Sequence, residues 1–335
     1  MLRRSIPVFL RTIWWGSPQN EAILLHRIPT KASLLSLALQ GGGSFGAFTW
    51  GVLDRLLLED GPGLDTISGA SAGAVNAVIL ADGLAERGRQ GARRKLRAFW
   101  ESVARTPGLP GIVSVPTIAA FASPFQFNPL GLNPLHDLIA QAVDFERLRA
   151  ASPVRLIISA TRVRDGHPRL FREAEVTLDV VLASACLPLL QQAVEIEGEA
   201  YWDGGYSANP PLRQLVIEMR STDLLLVQLV PELHDMVPHF SHDIVQRVRE
   251  IGFNSSLLRE LEAVEDLRSA CRGQKLFRSE LCRKLDALRF HQIVAADAVE
   301  GLARENPLNT SGAFLERLHD SGWQAADKWL EHPDD

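Results

Sequence analysis

Short apolar runs alternate with amphipathic stretches along the chain. Residues 34–39 (Leu-Leu-Ser-Leu-Ala-Leu) have the length and composition of a buried strand. A glycine-rich turn follows. Residues 45–56 then place Phe45, Phe48, Val52 and Leu56 on one helical face, with Asp54 and Arg55 elsewhere. Gly61-Pro62-Gly63 stops that helix, residues 64–67 form a second apolar strand, and residues 74–81 a small-residue helix. The order β-turn-α-β-turn-α predicts a parallel sheet covered by helices. Residues 87–105 predict a charged helix with Leu96, Phe99, Trp100 and Val103 inward.

Further along, residues 106–135 are dense in proline and glycine, so no helix or strand is expected there. Long apolar loops in compact domains usually serve function. Phe121, Phe125 and Phe127 therefore suggest a lipid-facing mouth, with packing on the core as the alternative. Residues 154–160 predict a strand buried on both faces, and Arg164-Asp165-Gly166-His167 a hairpin turn. A helix over 176–186, a hairpin over 194–202 and a strand over 224–230 follow. The rest reads as a long helix over 243–270, a charged region to about 285, a strand over 288–294 and a helix over 311–330. Residues 1–31 are expected as a poorly ordered leader, with an interfacial anchor as the alternative, and residues 32–335 as one domain. The leader has neither the unbroken apolar stretch of a signal peptide nor the length of a membrane span.

Composition adds few constraints. The chain is 46% hydrophobic with a net charge of −5, which supports a large core and argues against nucleic acid as partner. Cys186, Cys271 and Cys282 are odd in number and lack metal-ligand spacing. They predict a reducing, cytoplasmic setting without a disulfide framework. No oligomeric state follows.

The candidate chemistry lies in three glycine-bearing turns. Gly69-Ala70-Ser71-Ala72-Gly73 reads G-x-S-x-G between a strand and a helix, which presents a serine hydroxyl at a helix N-terminus. Gly41-Gly42-Gly43 follows a strand and opens a helix, so its successive amides suit an oxyanion. Asp203-Gly204-Gly205 follows a hairpin. Its carboxylate would serve as a base if desolvated, and Tyr201 and Trp202 are candidates to desolvate it.

With Ala183-Ser184-Ala185-Cys186-Leu187-Pro188 and Asn209-Pro210-Pro211, these motifs resemble the bacterial patatin-like phospholipases over about residues 33–230. The resemblance implies a three-layer α/β/α fold with a mostly parallel central sheet. It implies a serine hydrolase that cleaves lipid acyl esters through a Ser71–Asp203 dyad and an acyl-enzyme. Gly42, Gly43 and Ser44 would hold the oxyanion, and Gly69, Gly73, Gly204 and Gly205 would support the two turns. It implies no cofactor and no metal. The expected partner is a lipid or other acyl ester, met in the cytoplasm or in peripheral contact with the inner membrane surface. Phe45 departs from the pattern, since many members carry a basic residue there. That weighs against phospholipid preference more than against ester hydrolysis. The region after 233 matches the family poorly and is given no role.

Four other readings compete. Gly41-x-Gly43-x-x-Gly46 also fits a dinucleotide fingerprint, but the next strand has no acidic residue at its tip. Ser71, Asp203 and His291 occur in the α/β-hydrolase triad order, although too few strands precede the elbow. His234, Asp235, His239 and His242 cluster without a helical metal-binding frame. A non-catalytic lipid binder on the same fold would take up acyl chains without releasing acid.

Overall fold

A computed structural model describes residues 33–58, 61–106, 123–230, 237–272, 279–302 and 305–331. The proposed leader, Phe121, His234 and Asp235 lie outside the described residues. Eight strands form one sheet: β1 (Leu34–Leu39), β2 (Gly63–Gly69), β3 (Arg155–Arg162), β4 (Pro168–Arg172), β5 (Val194–Ile196), β6 (Glu199–Asp203), β7 (Asp223–Gln228) and β8 (Arg289–Val294). Their order is β5-β6-β3-β2-β1-β7-β8, with β4 also on β3. β3, β2, β1, β7 and β8 run parallel, β4 and β6 pair antiparallel with β3, and β5 pairs antiparallel with β6, so that β3–β4 and β5–β6 are hairpins.

The longer helices are α1 (Gly46–Leu56), α2 (Ala72–Arg105, kinked where Arg87 and Gly88 leave helical backbone), α3 (Pro134–Ala142), α4 (Phe145–Ala151), α5 (Leu178–Ser184), α6 (Leu212–Glu218), α7 (Ser241–Arg272), α8 (Glu280–Ala287) and α9 (Gly312–Glu331). Side-chain alternation along the strands creates two cores. Leu35, Leu37 and Leu39 of β1 face α1, α2 and α9, whereas Ala38, Leu224 and Leu226 face α6, α7 and α8. The result is the expected three-layer α/β/α fold.

Three local expectations are corrected. First, α1 is buried on every side, Asp54 and Arg55 included, because α9 packs over its polar face. There Arg55 pairs with Asp327 at 2.5 Å and Arg93 with Asp54 at 2.7 Å. The helices meet at backbone contact: a Cβ on Gly51 would strike the His319 carbonyl, and one on Gly322 the Phe48 carbonyl. Gly322→Ala should therefore destabilise the protein by about 1–3 kcal/mol, read as a lowered urea midpoint at unchanged slope.

Second, residues 106–135 do contain helix. One turn spans Pro124–Phe127, and Pro134 opens α3. Both prolines occupy the first helical turn, where a missing N–H costs nothing, and Asn133 caps α3. Third, Cys271 of α7 and Cys282 of α8 form a disulfide, with Cα atoms 5.1 Å apart. They lie eleven positions apart in the sequence, and the packing of α7 on α8 closes the distance. Cys186 is free and buried. None of the helices among the described residues is long and apolar enough to cross a membrane.

Candidate active site

The site lies at the C-terminal ends of β1 and β2, where a parallel sheet leaves a crevice. β2 ends at Gly69 and α2 begins at Ala72, so Ala70 and Ser71 make the whole turn. Ser71 adopts φ 52° and ψ −126°, a conformation rare for a residue with a side chain. The turn is tight enough that a Cβ on Gly69 would lie 2.7 Å from the Gly73 carbonyl carbon, and one on Gly73 would strike the Leu39 carbonyl. The Ser71 amide donates to the carbonyl (3.1 Å) and hydroxyl (3.0 Å) of Ser184, which fixes the strained residue from outside the elbow.

The glycine loop is tied down just as closely. Gln40 accepts from the amides of Leu229 (2.7 Å) and Val230 (2.9 Å) and donates to Asn254 (3.2 Å). The Gly41 amide donates to Asn209 Oδ1 at 2.7 Å. A Cβ at position 41 would come 2.7 Å from the Ser71 Cβ, so only glycine lets the loop lie against the serine. Gly43 has φ +60° and abuts the Pro307 carbonyl.

That carbonyl changes the expected donor set. The Ser44 amide donates to Pro307 at 2.8 Å and is committed there, not open to a ligand. Among the described residues the amides of Gly42 and Gly43 show no such partner. The amide of Ala72, at the first turn of α2, is also unpaired, and the helix dipole favours negative charge at that point. Sequence reasoning missed Ala72 as a donor, although the residue following an elbow serine is the natural place to look.

Asp203 ends β6 and is fully buried. Its Oδ1 accepts from the Gly205 amide at 2.7 Å, its amide donates to the Cys186 carbonyl at 2.8 Å, and Thr161 Oγ1 donates to its carbonyl at 2.7 Å. Oδ2 meets no formed hydrogen bond among the described residues. Burial pushes the carboxyl up to about 7, opposed by the Ser71 hydroxyl and the Gly205 amide. The influence of the Ser71 hydroxyl is in the direction expected of a hydrogen-bond donor to the ionised carboxyl. Gly204 and Gly205 permit this packing. A Cβ on Gly204 would strike the Ser159 carbonyl, and one on Gly205 would come 2.5 Å from the Phe253 ring.

Ser71 opens into a cavity of about 400 Å³. Val75, Phe99, Trp100 and Val103 of α2 supply apolar wall, joined by Phe127, Leu132, Leu135, Leu187, Leu190 and Leu308. Phe125 is exposed and does not line it.

A family model described as patatin-like phospholipase matches residues 37–216. The chain belongs to that family. The protein YjjU of Escherichia coli (strain K12) is 28% identical over 215 residues, which are 61% of this chain and 54% of YjjU. The chain therefore spans about half the length of that curated relative. The crystal structure of VipD from Legionella pneumophila aligns with a TM-score of 0.39 at 14% identity, covering 90% of this chain and 67% of VipD.

All three glycine-bearing turns fall within the patatin-like match. Pro307, Leu308 and Thr310 lie beyond it, yet they close the cavity and hold the glycine loop. The region after 233 thus contributes to the patatin-like site, and no local motif announced it. Phe45, where many patatin-like sequences carry a cation, is buried edge-on to Phe314, with ring centroids 6.2 Å apart. The side chain serves the α1–α9 core there.

The rival sites do not assemble. His291 Nε2 pairs with Asp223 Oδ1 at 3.0 Å, and Asp223 starts β7, away from the crevice. Among the described residues no histidine lines the cavity. His239 is exposed, with no metal-ligating group gathered around it among the described residues. β2 ends at Gly69 without an acidic side chain to meet a ribose.

Proposed function

We infer that the protein is a lipid acyl hydrolase working through Ser71 and Asp203. One observation carries this reading: a serine held at φ 52° opens into an apolar cavity with a fully buried carboxyl of pKa about 7 behind it. Strain of about 1–3 kcal/mol at such a residue persists where function needs the geometry.

In the proposed reaction the Ser71 hydroxyl proton passes to Asp203 while Oγ bonds to the ester carbonyl carbon. The carbonyl oxygen takes up negative charge facing the amides of Gly42, Gly43 and Ala72. Each such donor is worth about 10²–10³ in rate. Asp203 then returns the proton to the departing alcohol oxygen as the C–O bond breaks, leaving an acyl-enzyme. Water repeats the sequence: its proton goes to Asp203, its oxygen bonds to the acyl carbon, and Oγ recovers a proton as the acid leaves.

A base of pKa about 7 sets the pH dependence. The kcat/KM for p-nitrophenyl butyrate should fall about tenfold per pH unit below that value and level off above it. A flat profile between pH 5.5 and 8.5 would sink the assignment of Asp203 as base.

The exposed side chains of Leu130, Leu132 and Leu189, beside residues that line the cavity, support peripheral contact with a lipid surface at the mouth. Phe127 lines the cavity itself, so Phe127→Ala should shift preference toward longer p-nitrophenyl esters. We expect the decanoate-to-butyrate ratio of kcat/KM to rise by about fivefold or more, in line with roughly 1–3 kcal/mol for one methylene of altered contact. An unchanged ratio would place Phe127 outside the acyl path.

A further inference from the structure

The patatin-like match ends at residue 216, yet one turn of α7 reaches both the aspartate turn and the glycine loop. Phe253, Asn254 and Ser256 are buried there. The Ser256 hydroxyl donates to the Gly205 carbonyl at 2.9 Å and to the Phe253 carbonyl of its own helix at 3.0 Å, sharing one proton between them. The Phe253 ring lies against Gly205, where a Cβ would come 2.5 Å from it. It also stands edge-on to Tyr206, with ring centroids 5.1 Å apart. Gly205 is thus held at its carbonyl and its Cα while its amide donates to Asp203 Oδ1 at 2.7 Å. On the same turn of α7, Asn254 Oδ1 accepts from Gln40 Nε2 at 3.2 Å. That contact leaves Gln40 Oε1 to accept the amides of Leu229 and Val230, and Gln40 leads directly into Gly41.

Packing alone does not account for these side chains. Further along, α7 buries Leu257, Leu261 and Val264 in the core shared with α6 and α8. Apolar side chains at 254 and 256 would be buried at less desolvation cost, since a buried polar group must find a hydrogen bond. The two polar residues are directed instead to Gly205 and Gln40.

The Gly205 amide favours the ionised form of Asp203. Other influences on that carboxyl are burial and the Ser71 hydroxyl, not a charged side chain. The Cys186 thiol beside it is neutral, pushed up to about 12. On the elements packed around the aspartate turn, Arg162 of β3 pairs with Asp165, and Asp179 of α5 and Glu195 of β5 are exposed. Glu250 of α7 pairs with Arg247, and Glu260 of α7 accepts from the Arg213 amide.

We propose that the turn Phe253–Ser256 of α7 sets the base and the oxyanion loop relative to each other. Ser256 and Phe253 are positioning residues for Asp203 through Gly205, and Asn254 is one for the glycine loop through Gln40. The proposal rests on the hydrolase reading with Asp203 as base. Without the Ser256 hydroxyl the Gly205 amide is held less firmly on Asp203, and the carboxylate is disfavoured. Without the Asn254 carboxamide the loop loosens while the base keeps its surroundings. Two substitutions one turn apart should therefore leave different kinetic signatures, which a merely loosened fold would not.

The test is the pH profile of kcat/KM for p-nitrophenyl butyrate from pH 5.5 to 9. Ser256→Ala should move the acid limb up by about half a pH unit or more, a loss of about threefold at pH 6 relative to the plateau. Asn254→Leu should lower kcat at the plateau by about tenfold or more, with KM and the limb unmoved. The control is Ser255→Ala, whose hydroxyl donates to the Gly252 carbonyl of its own helix, and its profile should match wild type. A Ser256→Ala limb that stays in place overturns the proposal, as does a shifted limb or an unchanged kcat in Asn254→Leu. Should Ser256→Ala not fold, Phe253→Leu carries the same expected shift and the same refutation. A wild type that turns over ester without an acid limb, or not at all, would instead remove the hydrolase reading beneath the proposal.

Discussion

Ser71→Ala should lower ester hydrolysis by about 10⁴-fold or more while leaving the protein folded. The nucleophile is the one group for which the site has no substitute. Cys186 is buried with its thiol pushed up to about 12, mainly by desolvation and then by Asp203, so it supplies no thiolate. Alanine retains the Cβ, so the strained backbone at position 71 and the amide bonds to Ser184 survive the substitution. The loss should therefore appear in kcat, with thermal stability near that of wild type. Activity within about tenfold of wild type would show that another group carries the chemistry.

Asp203→Asn should have two large effects of opposite sign. Hydrolysis should fall by about 10²–10⁴, because asparagine cannot take the proton. Stability should rise at alkaline pH. The carboxyl has a folded-state value of about 7 against an ordinary value of 3.8, so the folded protein holds the proton more tightly than the unfolded chain does. The stability this contributes is fully present below pH 3.8 and is lost as pH rises to about 7. Above that, the buried carboxylate costs on the order of 4 kcal/mol relative to a neutral isostere. Asp203→Asn should thus be the more stable protein in urea at pH 8 and lose that advantage by pH 4. Equal stability at both values would show that burial does not burden Asp203.

The sheet and its flanking helices were readable because strand-length apolar runs and helical stripes rarely mislead when they alternate. The same pattern failed where tertiary packing overrode it. The helical stripe left Asp54 and Arg55 off the apolar face, yet they meet Asp327, Arg93 and His319 under α9. Proline density over 106–135 hid two helix starts, because proline at a first turn is permissive. Of the candidate site, the turns carrying Ser71, Asp203 and Gly41 to Gly43 were readable, since each needs glycine at fixed offsets. Their partners were not. Pro307 holds the Ser44 amide from about 260 residues away, and Ser184 and Asn209 act through single hydrogen bonds that leave no spacing rule. The Cys271–Cys282 bridge was hidden because a spacing of eleven positions says nothing about two helices packed side by side.

The most direct test of the central claim is intact-mass detection of a fluorophosphonate adduct on the folded protein at pH 8, beside Ser71→Ala and Asp203→Asn. The probe bonds only to an activated serine. The account predicts one adduct on wild type, none on Ser71→Ala, and labelling slowed at least a hundredfold on Asp203→Asn. Labelling of Asp203→Asn at the wild-type rate, or of Ser71→Ala at all, would contradict it.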